Sequence, residues 1–585
     1  MSPSLDSLSV ELLDIIVSFV HPSPALGKLA LVSWKFNSLV TPHLYRHIVL
    51  YADGPEGGFT RMLPLTFLML RKPSIASLVR SFTFCGMFHN EKCTTINVEG
   101  QCDYDEGECR LPWPNHPELD ETLRRVVKEV SHSEEEELGW QVEVLPRYAP
   151  MDTAIFPLLL MSFPNLRRLD MEICSLREDF LARIFNRIAS SEPPFDVKPV
   201  FTQLTDIMIA NNDEDHPSEY VFFAACCRLP AVKRLYGHRL GANGDWPQLS
   251  ERGGVISQIE TREPQRSKLL PVDTPQSSRP GDATSDMDTF ELRYSTLHYT
   301  DLPVVFSALR SPHTIIYHIG CSLSYTPIRT PDIISAIAIH ATSLRHLAID
   351  HEDYYIEDGL GLNDIAEPIS FVGFIALTHL RVAPLFLFGS VNLGEAPNPG
   401  SVDERAMLNR LRWVLPSTLE SLYITNAYFV FGDQHAHIAE AFEVLLQHKE
   451  CVPHLRELVF EGDFGDLENI QRAGRVIRVA EEMGVDARVI SLPQDEYVKQ
   501  RGWGWDEEVS FETCASSRLQ TGINDGRNRE SSLDMHQVVL VEFGQARRSS
   551  IMRVLDSGLS LWRKWENGMG TDGGAGALLE HGELL

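Results

Sequence analysis

One short pattern recurs along the chain and limits its possible folds more than any other feature: apolar, any two residues, apolar, any one residue, apolar. Beyond residue 60 it appears as Val79-Phe82-Phe84, Leu166-Leu169-Met171, Leu204-Ile207-Ile209, Leu344-Leu347-Ile349, Leu377-Leu380-Val382, Leu419-Leu422-Ile424 and Leu455-Leu458-Phe460, with Val232-Leu235 as a fragment. The last two apolar positions lie two residues apart, so on a strand they share one face while their neighbours point to the other. One side is then core and the other is expected to be available. Segments with helical spacing lie between the units: Phe180, Leu181, Ile184, Phe185 and Ile188; Met407, Leu408, Leu411 and Val414; Ile438, Phe442, Leu445 and Leu446. Strand alternates with helix, which predicts an α/β solenoid over residues 60–495.

Two stretches interrupt the pattern. Residues 241–288 are rich in Gly, Pro, Ser, Arg and Asp and read as a disordered insertion. Residues 98–148 carry acidic clusters at Asp103 to Glu108 and Glu134 to Glu137, and read as a solvated surface loop. After Leu492 the pattern stops, and 496–585 reads as a partly disordered extension, with a strand expected at 538–544, a helix in IMRVLDSGLSLW and a short basic-serine string at Arg547-Arg548-Ser549-Ser550.

The N-terminal segment, residues 5–50, is different in kind. LSVELLDIIVSFV predicts a helix capped by Ser9 and ending near His21-Pro22, with Leu12, Ile15, Ile16 and Phe19 on one stripe and Leu13, Val17 and Val20 on a second. A helix this apolar cannot bury its surface within a module of about 45 residues, so part of it must face another domain or chain. A second helix is expected over ALGKLALVSWKFNSLVTPHLY, stopped or kinked by Pro42, followed by a strand at HIVLY.

The series Leu8, Glu11, Leu12-Leu13, Ile15-Ile16, Leu29, Val32-Ser33-Trp34, Phe36 and Leu39, followed by a short strand, resembles the F-box of fungal F-box proteins, with Ser9 where that family commonly has Pro. The resemblance implies docking to a Skp1-type adaptor, and through it a cullin, by Leu8, Leu12, Leu13, Ile15, Ile16, Leu29, Val32, Trp34 and Leu39. The repeated pattern resembles leucine-rich repeats, with Cys174 and Asn212 where that family expects Asn or Cys. Spacings of 38 from Leu166 to Leu204 and 33 from Leu344 to Leu377 make the array irregular. Together the two resemblances imply a substrate-recognition adaptor of a ubiquitin ligase. Its protein target would sit on strand positions beside the core residues: Arg168, Asp170, His346, Asp350, His379, Arg381, Tyr423, Glu457 and Glu461. The alternative is a non-ligase interaction scaffold, in which the first helices only cap the solenoid.

Composition narrows the partners. A formal net charge of −29 opposes binding to a phosphate backbone, so nucleic acid is not an expected partner. No apolar run reaches the ~18–20 residues needed to span a bilayer, and the N-terminus lacks a basic leader, which points to the cytoplasm or nucleus. Ten scattered cysteines fit buried thiols rather than disulfides. Cys93, Cys102 and Cys109, with His89 and His116, lack the close ligand pairing of zinc sites. His340, His346 and His351 near Ser343 and Asp350 could suggest a triad, and GMGTDGGAGA a phosphate loop, but neither has the spacing or context its chemistry needs. No catalytic residue, metal or cofactor is expected.

Overall fold

A computed structural model of the 585-residue chain describes residues 8–20, 23–51, 57–85, 117–144, 152–172, 179–211, 218–241, 287–297, 301–320, 330–351, 369–388, 411–425, 436–462 and 467–491. Contacts divide the chain into Met1–Ser510 and Phe511–Leu585, the second wholly outside the described residues. Also outside them lie the expected features at 538–562, Arg547 to Ser550, the cysteines and histidines from His89 to His116, Cys174, Asn212, and 242–286 of the expected insertion.

The N-terminal segment forms three helices, α1 Val10–Ser18, α2 Ser23–Ala30 and α3 Trp34–Arg46. Ser9 caps α1 as expected, its hydroxyl accepting the Leu12 N–H at 3.4 Å. The second expected helix is two helices, because Ser33 accepts the Phe36 N–H at 3.3 Å and starts a new one. Pro42 sits inside α3 rather than ending it; the carbonyl it leaves unbonded belongs to Ser38, which is exposed and open to water. Val17, Leu26 and Val40 form the small core of this bundle. Asp14 and His43 join α1 to α3 at 2.8 Å.

Arg46 leads without a break into β1, His47–Tyr51. Among the described residues eleven further strands join it in one sheet, apart from a short parallel pair at Ser218–Glu219 and Leu240–Gly241: β2 Ser81–Cys85, β3 Arg168–Glu172, β4 Asp206–Ala210, β5 Arg234–His238, β6 Thr289–Arg293, β7 Thr314–Ile319, β8 His346–His351, β9 His379–Val382, β10 Ser421–Ile424, β11 Glu457–Gly462 and β12 Asp486–Ser491. They make one 12-stranded sheet in which every strand is parallel to, and hydrogen-bonded beside, its predecessor in sequence. The register never slips: first residues align from His47 through Ser81, Arg168 and Asp206 to Glu457 and Asp486. Second positions are therefore one apolar row, including Phe82, Leu169, Ile207, Leu235, Phe290, Ile315, Leu347, Leu380, Leu422 and Leu458, all buried.

Helices fill the connections: α4 Gly57–Arg71 and α5 Pro73–Ala76; α6 Pro117–Val130, α7 Glu134–Val144 and α8 Asp152–Met161; α9 Asp179–Ala189; α10 Tyr220–Cys227; α11 Leu302–Ser307; α12 Thr330–Ile337; α13 Pro384–Phe388; α14 Ala436–Gln447; and α15 Leu467–Glu482. Their apolar faces and the second and fourth strand positions share one core cluster running from Met62 to Val485. The fold is mixed α/β with a parallel sheet, as the strand–helix alternation predicts. No helix among the described residues is long and apolar enough to cross a membrane.

The surface loop expected at 98–148 is corrected over 117–144, while 98–116 and 145–148 lie outside the described residues. Residues 117–144 form α6 and α7, with Leu119, Leu123, Val127 and Val130 buried at helical spacing. Ser133 accepts the Glu136 N–H at 3.2 Å and the Glu136 carboxylate accepts the His132 N–H at 2.6 Å, an end signal hidden among the acids. Glu136 itself is buried, 2.7 Å from Arg187 of α9, which also donates to the Val130 carbonyl at 3.2 Å.

Candidate functional site

Two surfaces hold the residues singled out by sequence. The first is on α1 and the turn into α3. An amphipathic helix in a small bundle normally hides one stripe, and α1 hides Leu13 and Val17. Its other stripe, Leu12, Ile15, Ile16 and Phe19, stays exposed, Phe19 by 60%, and Val10 at the start of the helix is exposed as well. Leu31, Val32 and Trp34 add to it, with Leu31 and Trp34 exposed by 85% and 84%. Of the expected docking residues, Leu12, Ile15, Ile16, Val32 and Trp34 are therefore exposed, while Leu8, Leu29 and Leu39 are half-buried.

Leu13 is a correction: it is fully buried, because its position four residues before Val17 turns it toward α3. Val10, Phe19 and Leu31 belong to the exposed surface but were absent from the expected set; Phe19 follows the same stripe, whereas Leu31 depends on the α2–α3 break. The surface has few charges of its own. Glu11 at its margin is held below the usual carboxylate range, first by its backbone N–H and then by Ser9. Lys35 reaches back to the Leu8 carbonyl at 3.2 Å.

The second surface is the sheet face opposite the helices. Its third strand positions are buried from β2 to β11 except for half-buried Glu291, and they open only at Val49 and Arg488 in the outermost strands. The availability expected for this face is therefore corrected at Asp170, Asp350, Arg381, Tyr423 and Glu461, which are buried, whereas Arg168, His346, His379 and Glu457 are half-buried. The physical reason is that polar groups on neighbouring strands satisfy one another.

Arg381 Nη2 donates to both Glu461 oxygens at 3.0 and 3.4 Å, its guanidinium 4.3 Å from the centre of the Tyr423 ring, and the Tyr423 hydroxyl donates to the same carboxylate. Asp350 accepts from Thr425 Oγ1 and from the His351 N–H, each at 2.9 Å. Ser421 and Arg488 both donate to Glu457. His346 and His379 bring their rings to 4.4 Å, and burial lowers the His379 pKa. In β5 to β7, His238 lies beside Tyr236, Tyr294 and Arg293, and burial pushes its pKa down to about 3.

These groups bind one another across neighbouring strands. Ser343 Oγ donates to the carbonyls of Pro312 and His340, and His340 Nε2 is 2.9 Å from the Phe306 carbonyl, so the imagined triad does not assemble. Among the described residues no group of three His, Cys, Asp or Glu side chains could hold a metal. Cys226 and Cys227 are buried free thiols, and burial raises the Cys227 pKa. No protein-family profile matches this chain, and no curated protein sequence matches it.

Proposed function

We propose that the chain is a substrate-recognition adaptor of a Skp1–cullin–F-box type ubiquitin ligase, with α1–α3 as the F-box and the sheet with its helices as an irregular leucine-rich-repeat-like solenoid. The observation that carries this reading is the crowding of exposed large apolar residues, Val10 to Phe19 and Leu31 to Trp34, onto one small helical bundle. Solvent alone does not stabilise such a patch; a partner helix or groove does. The strands support the second half of the reading: parallel, in sequence order and without slip, they stack as repeats do. The ligase chemistry belongs to other subunits.

The scaffold reading also has an observation behind it. Helix α3 contacts β1 and α5, so the bundle sits where an end cap would. Co-purification with a Skp1-type adaptor separates the two. Ile15→Asp and Trp34→Asp alter exposed residues and leave the bundle core intact, so they abolish adaptor capture without unfolding the chain if the bundle is an F-box. Failure of well-folded wild type to capture the adaptor assigns the bundle to capping. Ubiquitylation of a bound protein that depends on residues 5–50 then completes the ligase case.

A further inference from the structure

The two ends of the sheet are finished differently. At β1 the bundle packs against the outermost strand through α3. At β12 no further strand pairs among the described residues. The buried apolar row stops there unfinished: Leu458 and Phe460 of β11 are buried, whereas their neighbours Ala487 and Val489 are half-buried against the main core.

The backbone of β12 decides what this edge offers. The Asp486 N–H donates to the Arg456 carbonyl at 2.8 Å, so Asp486 and Arg488 turn their backbone groups inward to β11, and Ala487 and Val489, by alternation, turn theirs outward. Outward N–H and C=O groups on an edge strand are a template for another strand. The side chains between them are charged and open to water: Asp486 is exposed by 72% and Arg488 by 56%. Glu457 engages Arg488 from the β11 side, and the guanidinium has further donors for a second carboxylate on the outer side.

We propose that the edge of β12 pairs with the same strand of a second copy of this chain, antiparallel and about a two-fold axis at Ala487. The sequence Val485-Asp486-Ala487-Arg488-Val489 places its charges symmetrically about that residue. Pairing centred there sets each Asp486 directly opposite Arg488 of the second copy, and Val485 opposite Val489. The outward N–H groups of Ala487 and Val489 then donate to the carbonyls of Ala487 and Val485 of the second copy. Moving the centre by one residue sets Asp486 against Asp486 or Arg488 against Arg488, and like charges directly opposite destabilise a strand pair. A centre between two residues pairs the charged face of one copy with the apolar face of the other. The net charge of −29 opposes self-association, but screening over about 8 Å leaves local pairs to decide, and Asp486 and Arg488 sum to zero. The inference does not rest on the ligase reading.

The test is sedimentation velocity of the full chain over a concentration series, with circular dichroism as a folding check. A strand pair this short is smaller than the about 800 Å² per partner of a stable dimer, so dissociation on the order of 10 μM is expected. Asp486→Arg and Arg488→Asp each set like charges opposite one another and weaken the dimer at least about tenfold. Mixed one to one, the two variants become complementary and dimerise again. Ala487→Pro keeps both charges and the pairing with β11 but removes an outward N–H, so it also abolishes the dimer and replaces the charge variants should either unfold. A wild type that stays monomeric at about 100 μM overturns the proposal, as do folded variants that dimerise like wild type or a mixture that stays monomeric. Adaptor capture by the bundle at the other end of the sheet is unaffected by these substitutions, which separates failure here from failure of the F-box reading.

Discussion

Arg381 and Glu461 are fixed in the interior two strands apart, with the Tyr423 ring between them. Removing one partner leaves the other charge buried, which costs about 3–5 kcal/mol, while removing both together costs less. Urea denaturation of Glu461→Ala and of Arg381→Leu/Glu461→Leu checks this; a double variant less stable than the single would refute it. His238 makes a different demand. Burial, then Arg239 and Arg293, take its pKa from 6.5 to about 3 in the folded protein. Between those values the unfolded chain binds one proton more, so stability is fully present above pH 6.5 and is lost as pH falls toward 3. The slope is at most about 1.4 kcal/mol per pH unit. Denaturation profiles of wild type and His238→Asn across this window should differ in slope, the variant being flatter.

At the scale of elements, close packing between neighbouring strands leaves some positions no room. A Cβ added at Gly320, just after β7, would lie 2.2 Å from the Tyr294 Cα, a backbone atom that cannot swing aside. Gly320→Ala therefore destabilises by about 1–3 kcal/mol or more, read as a lowered melting temperature. The elements also show how far local sequence reaches. Helices expected at 180–188 and 438–446 appear as α9 Asp179–Ala189 and α14 Ala436–Gln447, because burial of one stripe leaves a 3.6-residue period.

Strands β2, β3, β4, β8, β9, β10 and β11 were legible for the same reason, through their paired apolar positions. Strand β6 has the pattern Met287-Phe290-Leu292 but begins where a Gly- and Pro-rich stretch ends; β7 has Pro312 in place of the first apolar residue; and β12 offers only Ala487 and Val489. The exposed surface of α1 was half legible. Periodicity separates two stripes on that helix, but only the packing of α3 decides that Leu13 is inside and Leu12 outside. The buried sheet face was not legible, because the partner of Arg381 lies 80 residues away and no local spacing encodes it.

Across the described part of the molecule the bundle core and the main core are unequal. The bundle buries Val17, Leu26 and Val40 as its own cluster, while the main cluster is continuous from Met62 to Val485. A core this small is marginal on its own. Hydrogen exchange is expected to be faster in α1 and α2 than in β8 to β10, and to slow in α1 when an adaptor covers it; equal rates in the free chain would contradict the separation of the cores.

The unbroken register of the sheet has one more consequence, for how the chain tolerates change. Successive strand starts are as close as 25 residues, Thr289 to Thr314, and as far as 87, Ser81 to Arg168, yet both pairs align without offset. Because each connection only joins neighbours, lengthening it 3.5-fold adds about 1 kcal/mol of closure entropy. Insertions can therefore accumulate between strands, and new surface can be acquired there, while every pairing already made stays in place.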